Sequence, residues 1–336
     1  YIRHAFPYWN RSSGRDHVWY MPGEKQTCDV PPEILSTSIV LGHWGGRKGF
    51  TSFVTDCVDP AKDIVVPPIT PIQHDLQVFE SRLAGPMRRA DRRPRFERNG
   101  TLLLFAGGIM SFGASQDRMR KGGVDTSDKQ ARLQRQSEAE RCAEPERILD
   151  RRCRGQYSMG VRAAIWRQRM WQDPDMKIVS SGIPNYLETA ATARFCLHTE
   201  GNSWGTRLID QMAIECIPVI VNDGMVFPYA NLLSYPEFSL HFSKRSVPDL
   251  PRLLRNVSSA AQAALRAGIR RYKRGFIWFR PDGLAYEYTL AALGERLVSY
   301  LKLANTTVRG RRRRSSRATG HRPRGGWLRR SGQWGS

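Results

Sequence analysis

Short apolar runs that are continuous rather than alternating recur along this 336-residue chain, and helical patterns lie between them. Continuous runs are typical of parallel strands that are buried on both faces. Strands that alternate with helices therefore predict an α/β fold with largely parallel sheets. The predicted strands are Val18–Met21, Thr37–Leu41, Asp63–Val66, Leu102–Ala106, Lys177–Ser180, Arg194–Leu197 and Ile217–Asn222. The predicted helices are Met159–Trp171, Pro184–Ala191, Thr206–Glu215, Val247–Val257, Ser259–Lys273 and Gly283–Ala304.

Positive charge is concentrated in two Arg-rich segments. The chain has 53 Lys and Arg against 31 Asp and Glu, which gives a formal net charge of +22. Ten Arg and no acidic residue lie in Arg309–Ser336, and Arg82–Arg98 is a second cluster. Such segments are usually solvated, so residues 309–336 are interpreted as a disordered tail. No nucleic-acid-binding motif accompanies them, which argues against a nucleic-acid partner.

Four sequons favour a protein of the secretory pathway, because Asn-X-Ser/Thr is the acceptor for N-glycosylation. The acceptors are Asn10, Asn99, Asn256 and Asn305. Six cysteines have no zinc-ligand spacing, and their fifteen possible disulfide pairings stay open. No apolar run reaches the roughly 18–20 residues of a membrane span, so any signal or anchor is expected upstream of this chain.

A glycine-containing turn between a strand and a helix is the most informative local pattern. Gly201 and Gly205 allow the backbone to turn and to approach a ligand closely. The predicted helix starts near Thr206, and Arg207 at its beginning has the geometry to bind phosphate oxygens. The structural alternative is an ordinary strand–helix turn in which Arg207 pairs with Asp210 on the helix surface. The turn alone does not decide between the two interpretations.

Separated blocks of the sequence resemble the exostosin-like glycosyltransferases, family 47. The later blocks are Ala193–Leu197, Gly201, Arg207, Asp210, Cys216–Val219, Asp223, Pro228–Tyr229, Leu232–Ser239 and Ser243–Leu250. The earlier blocks are Pro7–His17, Lys62–Pro68, Leu103–Gly107 and Tyr157–Arg162. Several blocks in the same order are more specific than any one of them. The resemblance runs from about Pro7 to Leu254, apart from the polar excursion at residues 113–154.

The resemblance implies two facing Rossmann-like domains, the GT-B type of glycosyltransferase, with an incomplete N-terminal half. Residues 1–182 would form the acceptor-side domain, including the excursion at 113–154. Residues 183–282 would bind the nucleotide sugar, and residues 283–308 would form a terminal helix that packs back on the domains.

The same resemblance implies the transfer of a sugar from a nucleotide-sugar donor, a UDP-sugar, to a glycan or glycoprotein acceptor. Transfer is expected to invert the anomeric centre and to need no metal or other cofactor. The family further suggests a Golgi membrane protein with a lumenal catalytic domain and an anchor upstream of this chain.

Donor-binding roles are assigned to residues around the glycine-containing turn. Arg207 would bind the diphosphate, assisted by Gly201 and by the amides of Gly205 and Thr206. Glu200 and Asp210 would bind donor hydroxyl groups, since a carboxylate accepts more than one hydrogen bond. For Asp210, helix capping or surface pairing is the structural alternative.

An inverting transfer needs a base that accepts the proton of the acceptor hydroxyl. Asp16 and His17 precede the predicted strand Val18–Met21, and Asp223 follows the strand Ile217–Asn222. These three residues are the candidates for the base. A His beside an Asp is, as an alternative, a structural pair under a loop.

Two further patterns bear on activity. Asp173-Pro-Asp175 has the form of a metal-binding DxD, but a central proline between a helix and a strand indicates a turn, so no metal site is predicted there. Glu215 stands where the family has Gly after a helix, and a positive φ at this position would cost about 1 kcal/mol. A non-catalytic Arg-rich protein that binds glycan or nucleic acid, or an inactive family member, remains the alternative function.

Overall fold

The computed structural model describes residues 1–23, 28, 30–46, 57–74, 100–108, 157–180, 182–199 and 206–299. The chain forms two compact units, Tyr1–Ala292 and Leu293–Ser336. The first unit contains two parallel sheets, which confirms the predicted α/β class. Of the second unit, residues 293–299 are described and are helical. None of the helices in the described ranges is long and apolar enough to cross a membrane.

The first sheet has three parallel strands in the order β1-β2-β3. They are β1 (Val18–Met21), β2 (Ile39–Gly42) and β3 (Ile64–Val65), and the short helices around them are α1 (Ile2–Ala5), α2 (Tyr8–Ser12), α3 (Pro32–Thr37) and α4 (Pro71–His74). Buried Asp63 accepts hydrogen bonds from the backbone N–H groups of Val40 and Asp59. This carboxylate therefore joins β2 to the segment that leads into β3.

The second sheet has five parallel strands in the order β5-β4-β6-β7-β8. They are β4 (Leu103–Ala106), β5 (Met176–Val179), β6 (Phe195–Thr199), β7 (Ile217–Val221) and β8 (Leu240–Phe242). The α-helices of this part are α5 (Val161–Arg167), α6 (Tyr186–Thr192), α7 (Arg207–Ala213), α8 (Leu250–Arg255) and α9 (Ser259–Tyr272). Short 3₁₀ helices cover Tyr157–Gly160, Met170–Gln172, Tyr235–Glu237, Lys244–Asp249 and Lys273–Phe276. Residues 285–299 are also helical.

All seven predicted strands form within two residues of their expected bounds. The sequence analysis did not predict the eighth strand, β8. Its three residues are only partly buried or exposed, so no continuous apolar run marks it. The second sheet also takes strands from both sides of residue 182, because β4 pairs with β5 on one side and with β6 on the other.

The core of the second sheet is built from strands that are buried at every residue. All positions of β4, β6 and β7 are buried, as expected for strands covered on both faces. A disulfide between Cys196 and Cys216 joins the beginning of β6 to the residue before β7. A second disulfide joins Cys28 to Cys57. These two disulfides are consistent with the secretory pathway that the sequence predicts, because thiols are oxidised there.

Glu215 adopts a left-handed conformation with a φ of 58°, as expected at a position after a helix where the family has glycine. Its carboxylate lies 3.1 Å from Arg270 and 3.2 Å from Lys273 in α9 and the turn that follows. These ion pairs offset part of the conformational cost of a non-glycine residue at this position.

The segments after β2 and β3 pack against the residues that follow β7. The Val226 N–H donates to the Gly45 carbonyl over 2.9 Å, and the Tyr229 N–H donates to the Val65 carbonyl over 2.9 Å. A Cβ on Gly45 would lie only 2.0 Å from the Val226 oxygen, so this approach requires glycine. The carboxyl-terminal loops of the two sheets are therefore in direct contact.

Candidate functional site

Arg207, the first residue of α7, lies over the carboxyl end of β4. Its Nη2 donates to the Ala106 carbonyl over 2.7 Å, and its guanidinium lies 5.1 Å from the centre of the Phe105 ring. Gly107 makes this possible, because a Cβ there would lie 2.7 Å from Nη2. Within the described residues, no carboxylate lies within ion-pair distance of Arg207. The structural alternative, in which Arg207 pairs with Asp210 on the helix surface, is therefore not formed.

Arg162 on α5 brings a second guanidinium to the same edge. It is 7% exposed, and its Nε donates to Thr199 Oγ1 over 2.9 Å. Its Nη1 donates to the Gly108 carbonyl over 3.0 Å, and the group lies 5.4 Å from the Phe105 ring. Two arginines thus converge on the carboxyl ends of β4 and β6, which is where parallel sheets bind ligands.

The pKa of His198 reflects both burial and the positive charge at this edge. The side chain is in β6 and is almost fully buried. Burial, followed by the charges of Arg207 and Arg162, lowers the pKa of His198 to about 3. The imidazole is therefore neutral at physiological pH, because burial disfavours its charged form and the two neighbouring arginines add to this effect.

Asp210, one turn into α7, is a largely buried carboxylate. Burial raises the pKa of Asp210 to about 6, although the Thr70 hydroxyl and the charge of Arg207 lower it in part. Within the described residues, neither Asp210 Oδ1 nor the neighbouring Gln211 Oε1 receives a well-aligned hydrogen bond. Buried acceptors in this state are costly unless water or a ligand supplies a donor.

Asp223 follows β7 at the same edge of the sheet. Its Oδ2 accepts a hydrogen bond from the Lys244 N–H over 3.2 Å, which joins the ends of β7 and β8. Lys244 is a buried residue, and burial lowers the pKa of its amine to about 8 even though Asp223 raises it. The structure thus places Asp223 at the carboxyl edge, as predicted, and gives it a neighbouring cation.

Asp16 and His17 lie at the amino edge of the first sheet, immediately before β1 begins. The Asp16 carboxylate is bound by the Arg11 guanidinium and the Ser12 hydroxyl, and its Oδ1 lies 3.0 Å from His17 Nδ1. These hydrogen bonds hold the pKa of Asp16 well below its usual range. Both oxygens of this carboxylate are already engaged by neighbouring side chains, so the geometry gives Asp16 little support as a base.

The family model described as the Exostosin GT47 domain matches residues 1–257 of the chain. The chain belongs to the exostosin GT47 family. This membership confirms the resemblance found in the separated sequence blocks.

Several relatives of this GT47 chain are plant proteins named as glycosyltransferases. A probable glucuronosyltransferase of Oryza sativa subsp. japonica is 31% identical, over 75% of this chain and 49% of its own length. The probable glucuronoxylan glucuronosyltransferase IRX7 of Arabidopsis thaliana is 23% identical, over 90% of this chain and 58% of its own. The probable beta-1,4-xylosyltransferase IRX10 of Arabidopsis thaliana is 32% identical, over 31% of this chain and 25% of its own. The chain spans about half the length of several of these curated relatives.

Other predicted site residues of the GT47 chain are placed differently. Glu200, Gly201 and Gly205 lie outside the described residues, as do the acceptors Asn99 and Asn305. Thr206 is exposed beside Arg207, and Asn10 and Asn256 are exposed on α2 and after α8, as glycosylation would require. Exposure leaves both acceptors open to modification, which itself stays a prediction.

The Asp173-Pro-Asp175 turn binds an arginine. Arg255 Nη2 lies 2.7 Å from Asp173 Oδ2 and 3.0 Å from Asp175 Oδ2. The turn leads into the amino end of β5, the opposite end of the strand from the arginine-rich edge. The two carboxylates are therefore engaged in a surface ion-pair cluster.

Three residues at the carboxyl edge had been given no role from the sequence: Arg162, His198 and Lys244. Arg162 ends the block Tyr157–Arg162, and Lys244 lies in Ser243–Leu250, so family resemblance had marked both segments. His198 carried a weaker signal, namely a polar side chain near the end of a buried strand. Only the strand order shows that the three lie on one edge.

Proposed function

We propose that this GT47 chain transfers a sugar from a nucleotide-sugar donor to a glycan or glycoprotein acceptor. The observation that carries the proposal is the convergence of Arg207 and Arg162 on the carboxyl ends of β4 and β6. Arg207 is held there by a neutral carbonyl and by aromatic rings. This leaves its charge available to an anion such as the donor diphosphate.

The physical argument is the cost of a half-buried cation. A guanidinium removed from water loses solvation, and a carbonyl oxygen compensates only part of this loss. A diphosphate that bound beside Arg207 would recover it through charge-assisted hydrogen bonds. The same contact would strengthen as the nucleoside diphosphate departs with negative charge, so it would favour the transition state.

We propose a UDP-sugar as the donor, with UDP-glucuronate and UDP-xylose as the first candidates. This choice follows the names of the relatives, which are glucuronosyl- and xylosyltransferases. The same names make a xylan chain the first acceptor to test. Asp210 would accept a hydrogen bond from a donor hydroxyl, which would satisfy its buried oxygen.

We further propose that transfer inverts the anomeric centre and proceeds without a metal ion. The two guanidinium groups supply the positive charge that a metal would supply to the diphosphate. The Asp173 and Asp175 carboxylates bind Arg255 at the other end of the sheet, far from the proposed phosphate position along β5.

The arrangement and location of the protein are part of the same proposal. The two sheets would act as the acceptor and donor sides of a GT-B enzyme, with the site between their carboxyl-terminal loops. The Golgi lumen, with a membrane anchor upstream of the chain, is the proposed location. No observation among the described residues favours the Arg-rich binding function, because both Arg-rich segments lie outside them.

The test is a calorimetric titration of the chain with UDP, GDP and CMP in the presence of EDTA. We expect one UDP to bind per chain, and we expect Arg207→Ala to weaken UDP binding by about 100-fold, since a charge-assisted contact to phosphate is lost. Arg252→Ala is the matched control, because Arg252 is an exposed arginine on α8 that pairs with Asp249.

Three results would contradict the proposal. The wild-type chain could bind none of the three nucleotides, Arg207→Ala could bind UDP as tightly as wild type, or Arg252→Ala could weaken binding equally. A requirement for a divalent ion in the titration would overturn only the metal-independent part.

A further inference from the structure

The carboxyl edge of the first sheet carries a tyrosine–histidine pair. Tyr20 is the third residue of β1, and His43 directly follows β2. The Tyr20 hydroxyl lies 2.8 Å from His43 Nε2, and the two rings meet edge to face. The pair therefore lies at the end of the sheet where ligands bind in parallel α/β folds.

The hydrogen bonds fix the tautomer of His43. Its Nδ1 lies 3.1 Å from the Val66 carbonyl oxygen, which can only accept. Nδ1 therefore carries the proton, and the lone pair of Nε2 accepts the Tyr20 hydroxyl hydrogen. Nε2 is thus the basic nitrogen, and it points at the tyrosine oxygen.

Exposure distinguishes this pair from an ordinary core histidine. His43 is 8% exposed, whereas Tyr20 is 50% exposed. Among the described residues, His43 is the hydrogen-bond partner of the Tyr20 hydroxyl. The free lone pairs of that oxygen are open to a donor from outside, and the oxygen connects that donor to the buried imidazole.

The loop that begins with His43 also reaches the other sheet. Gly45 and Gly46 pair with Val226 and Met225, in the turn that follows β7. This turn leaves the same edge of the second sheet as Arg207 and Arg162. The tyrosine–histidine pair and the proposed diphosphate site thus belong to loops that meet.

From this geometry we infer that Tyr20 and His43 form the proton-accepting pair of the sugar transfer. The inference rests on the proposed function and names a base that differs from Asp16, His17 and Asp223. Tyr20 touches the acceptor hydroxyl, and His43 receives the proton through Tyr20.

The step balances as follows. The oxygen of the acceptor hydroxyl forms a bond to the anomeric carbon of the donor, and the bond from that carbon to the diphosphate oxygen breaks. UDP leaves with the electron pair of the broken bond. The acceptor proton passes to Tyr20 Oη as the tyrosine proton passes to His43 Nε2, and the imidazolium later returns its proton to water through Tyr20.

The protonation state of His43 suits this role. Burial lowers the pKa of His43, although the hydrogen bond to the Val66 carbonyl raises it in part. The imidazole is therefore neutral and able to accept a proton at the pH of the secretory pathway.

The experiment uses Tyr20→Phe and His43→Gln in the whole chain, with UDP as the binding probe. Transfer is followed as release of UDP from UDP-glucuronate and from UDP-xylose with xylohexaose as acceptor. We expect kcat to fall by about 100-fold or more in each variant, while the Kd for UDP stays within about twofold of wild type. The double variant should be no slower than the slower single variant, because the two groups act in one relay.

Tyr8→Phe is the matched control, because Tyr8 is an exposed tyrosine on α2 and lies outside both proposed sites. Tyr20→Phe keeps the ring of a half-exposed side chain, so it decides the question even if His43→Gln does not fold. Wild-type kcat in Tyr20→Phe, with UDP binding intact, would overturn the inference and leave the proposed function standing. A wild-type chain that neither binds UDP nor transfers would overturn both, and the wild-type titration separates the two cases.

Discussion

Two clusters of charged side chains, one in each sheet, differ in how their charge is balanced. At the amino edge of the first sheet, Arg11 and Asp16 form an ion pair, and Asp16 also lies within hydrogen-bond distance of His17. Arg207 and Arg162 lie at the carboxyl edge of the second sheet, where Arg207 donates to the Ala106 carbonyl and Arg162 donates to the Gly108 carbonyl and the Thr199 hydroxyl. Both clusters contain residue types that suggest catalysis.

The difference teaches that residue type is a weaker guide to a site than charge balance. A carboxylate that is already bound by a guanidinium and a hydroxyl has little capacity left for a substrate proton. A guanidinium held by neutral groups still attracts an anion. We therefore interpret the first cluster as a structural motif, and the second cluster is the diphosphate site that we propose.

The largest effect is expected for Arg162→Met. The Thr199 hydroxyl and the Gly108 carbonyl would lose a charged donor in a buried position, so the free energy of unfolding should fall by about 2–4 kcal/mol. The affinity for UDP should fall as well, because one of two converging charges is lost. Urea denaturation with and without UDP measures both effects. Arg167→Met, at an exposed position of the same helix, should change stability by less than about 0.5 kcal/mol. If Arg162→Met changed the free energy of unfolding as little as this control, the buried arginine at the carboxyl edge would contribute no more than an exposed arginine does.

An intermediate effect with a defined pH dependence is expected for Asp210→Asn. The pKa of Asp210 is about 6 in the folded chain, above its ordinary value of 3.8, so the folded state binds this proton more tightly than the unfolded state. The ionised carboxylate therefore destabilises the fold above pH 6, and this cost disappears as the pH falls below 4. Asp210→Asn should raise the free energy of unfolding by about 1–3 kcal/mol at pH 7.5 and by little at pH 4.

His198 should produce the opposite trend in the same region. Its lowered pKa means that stability is lost as the pH falls below its ordinary value of 6.5. The two trends partly cancel in the wild-type chain, and Asp210→Asn should expose the loss due to His198 as a steeper acid limb. Denaturation curves between pH 4 and 7.5 provide the measurement, with exposed Asp249→Asn as control. Equal acid limbs for wild type and Asp210→Asn would contradict the buried-charge account of this edge.

The smallest effect is expected for Asp16→Asn. The ion pair with Arg11 is exposed, and exposed pairs contribute roughly 0.2–1 kcal/mol. The lowered pKa of Asp16 means that this contribution is present above pH 4 and is lost on acidification. Thermal unfolding at pH 7 and UDP titration test the point, with Arg11→Gln as the matched partner. A loss of UDP affinity in Asp16→Asn would remove the distinction between the two clusters.

Parts of the fold could be predicted because their signals are local. Continuous apolar runs identified seven of the strands, as buried parallel strands need no polar face. The positive φ of Glu215 followed from its position after a helix where the family has glycine. β8 escaped prediction because its residues are partly exposed, so its pattern resembles that of a loop.

Parts of the site could be predicted only as single residues. Arg207 and Asp223 were found because each follows or precedes a recognisable element, and the structure places both at the carboxyl edge of the second sheet. Arg162 and His43 were not found, since their significance depends on partners that are distant in sequence. Arg162 binds Thr199, and His43 binds Val66 and Tyr20.

The sequence by itself determined the class of fold, the family and the identity of the principal arginine, because apolar periodicity and motif order are properties of neighbouring residues. Only the tertiary structure decided which charged side chains meet and what they contact. Strand order brings α5 and α7 to one edge of the second sheet and leaves Asp16 at the amino edge of the first. Whether a charge is balanced depends on solvation and on partners across the fold, and neither is encoded in the spacing of residues along the chain.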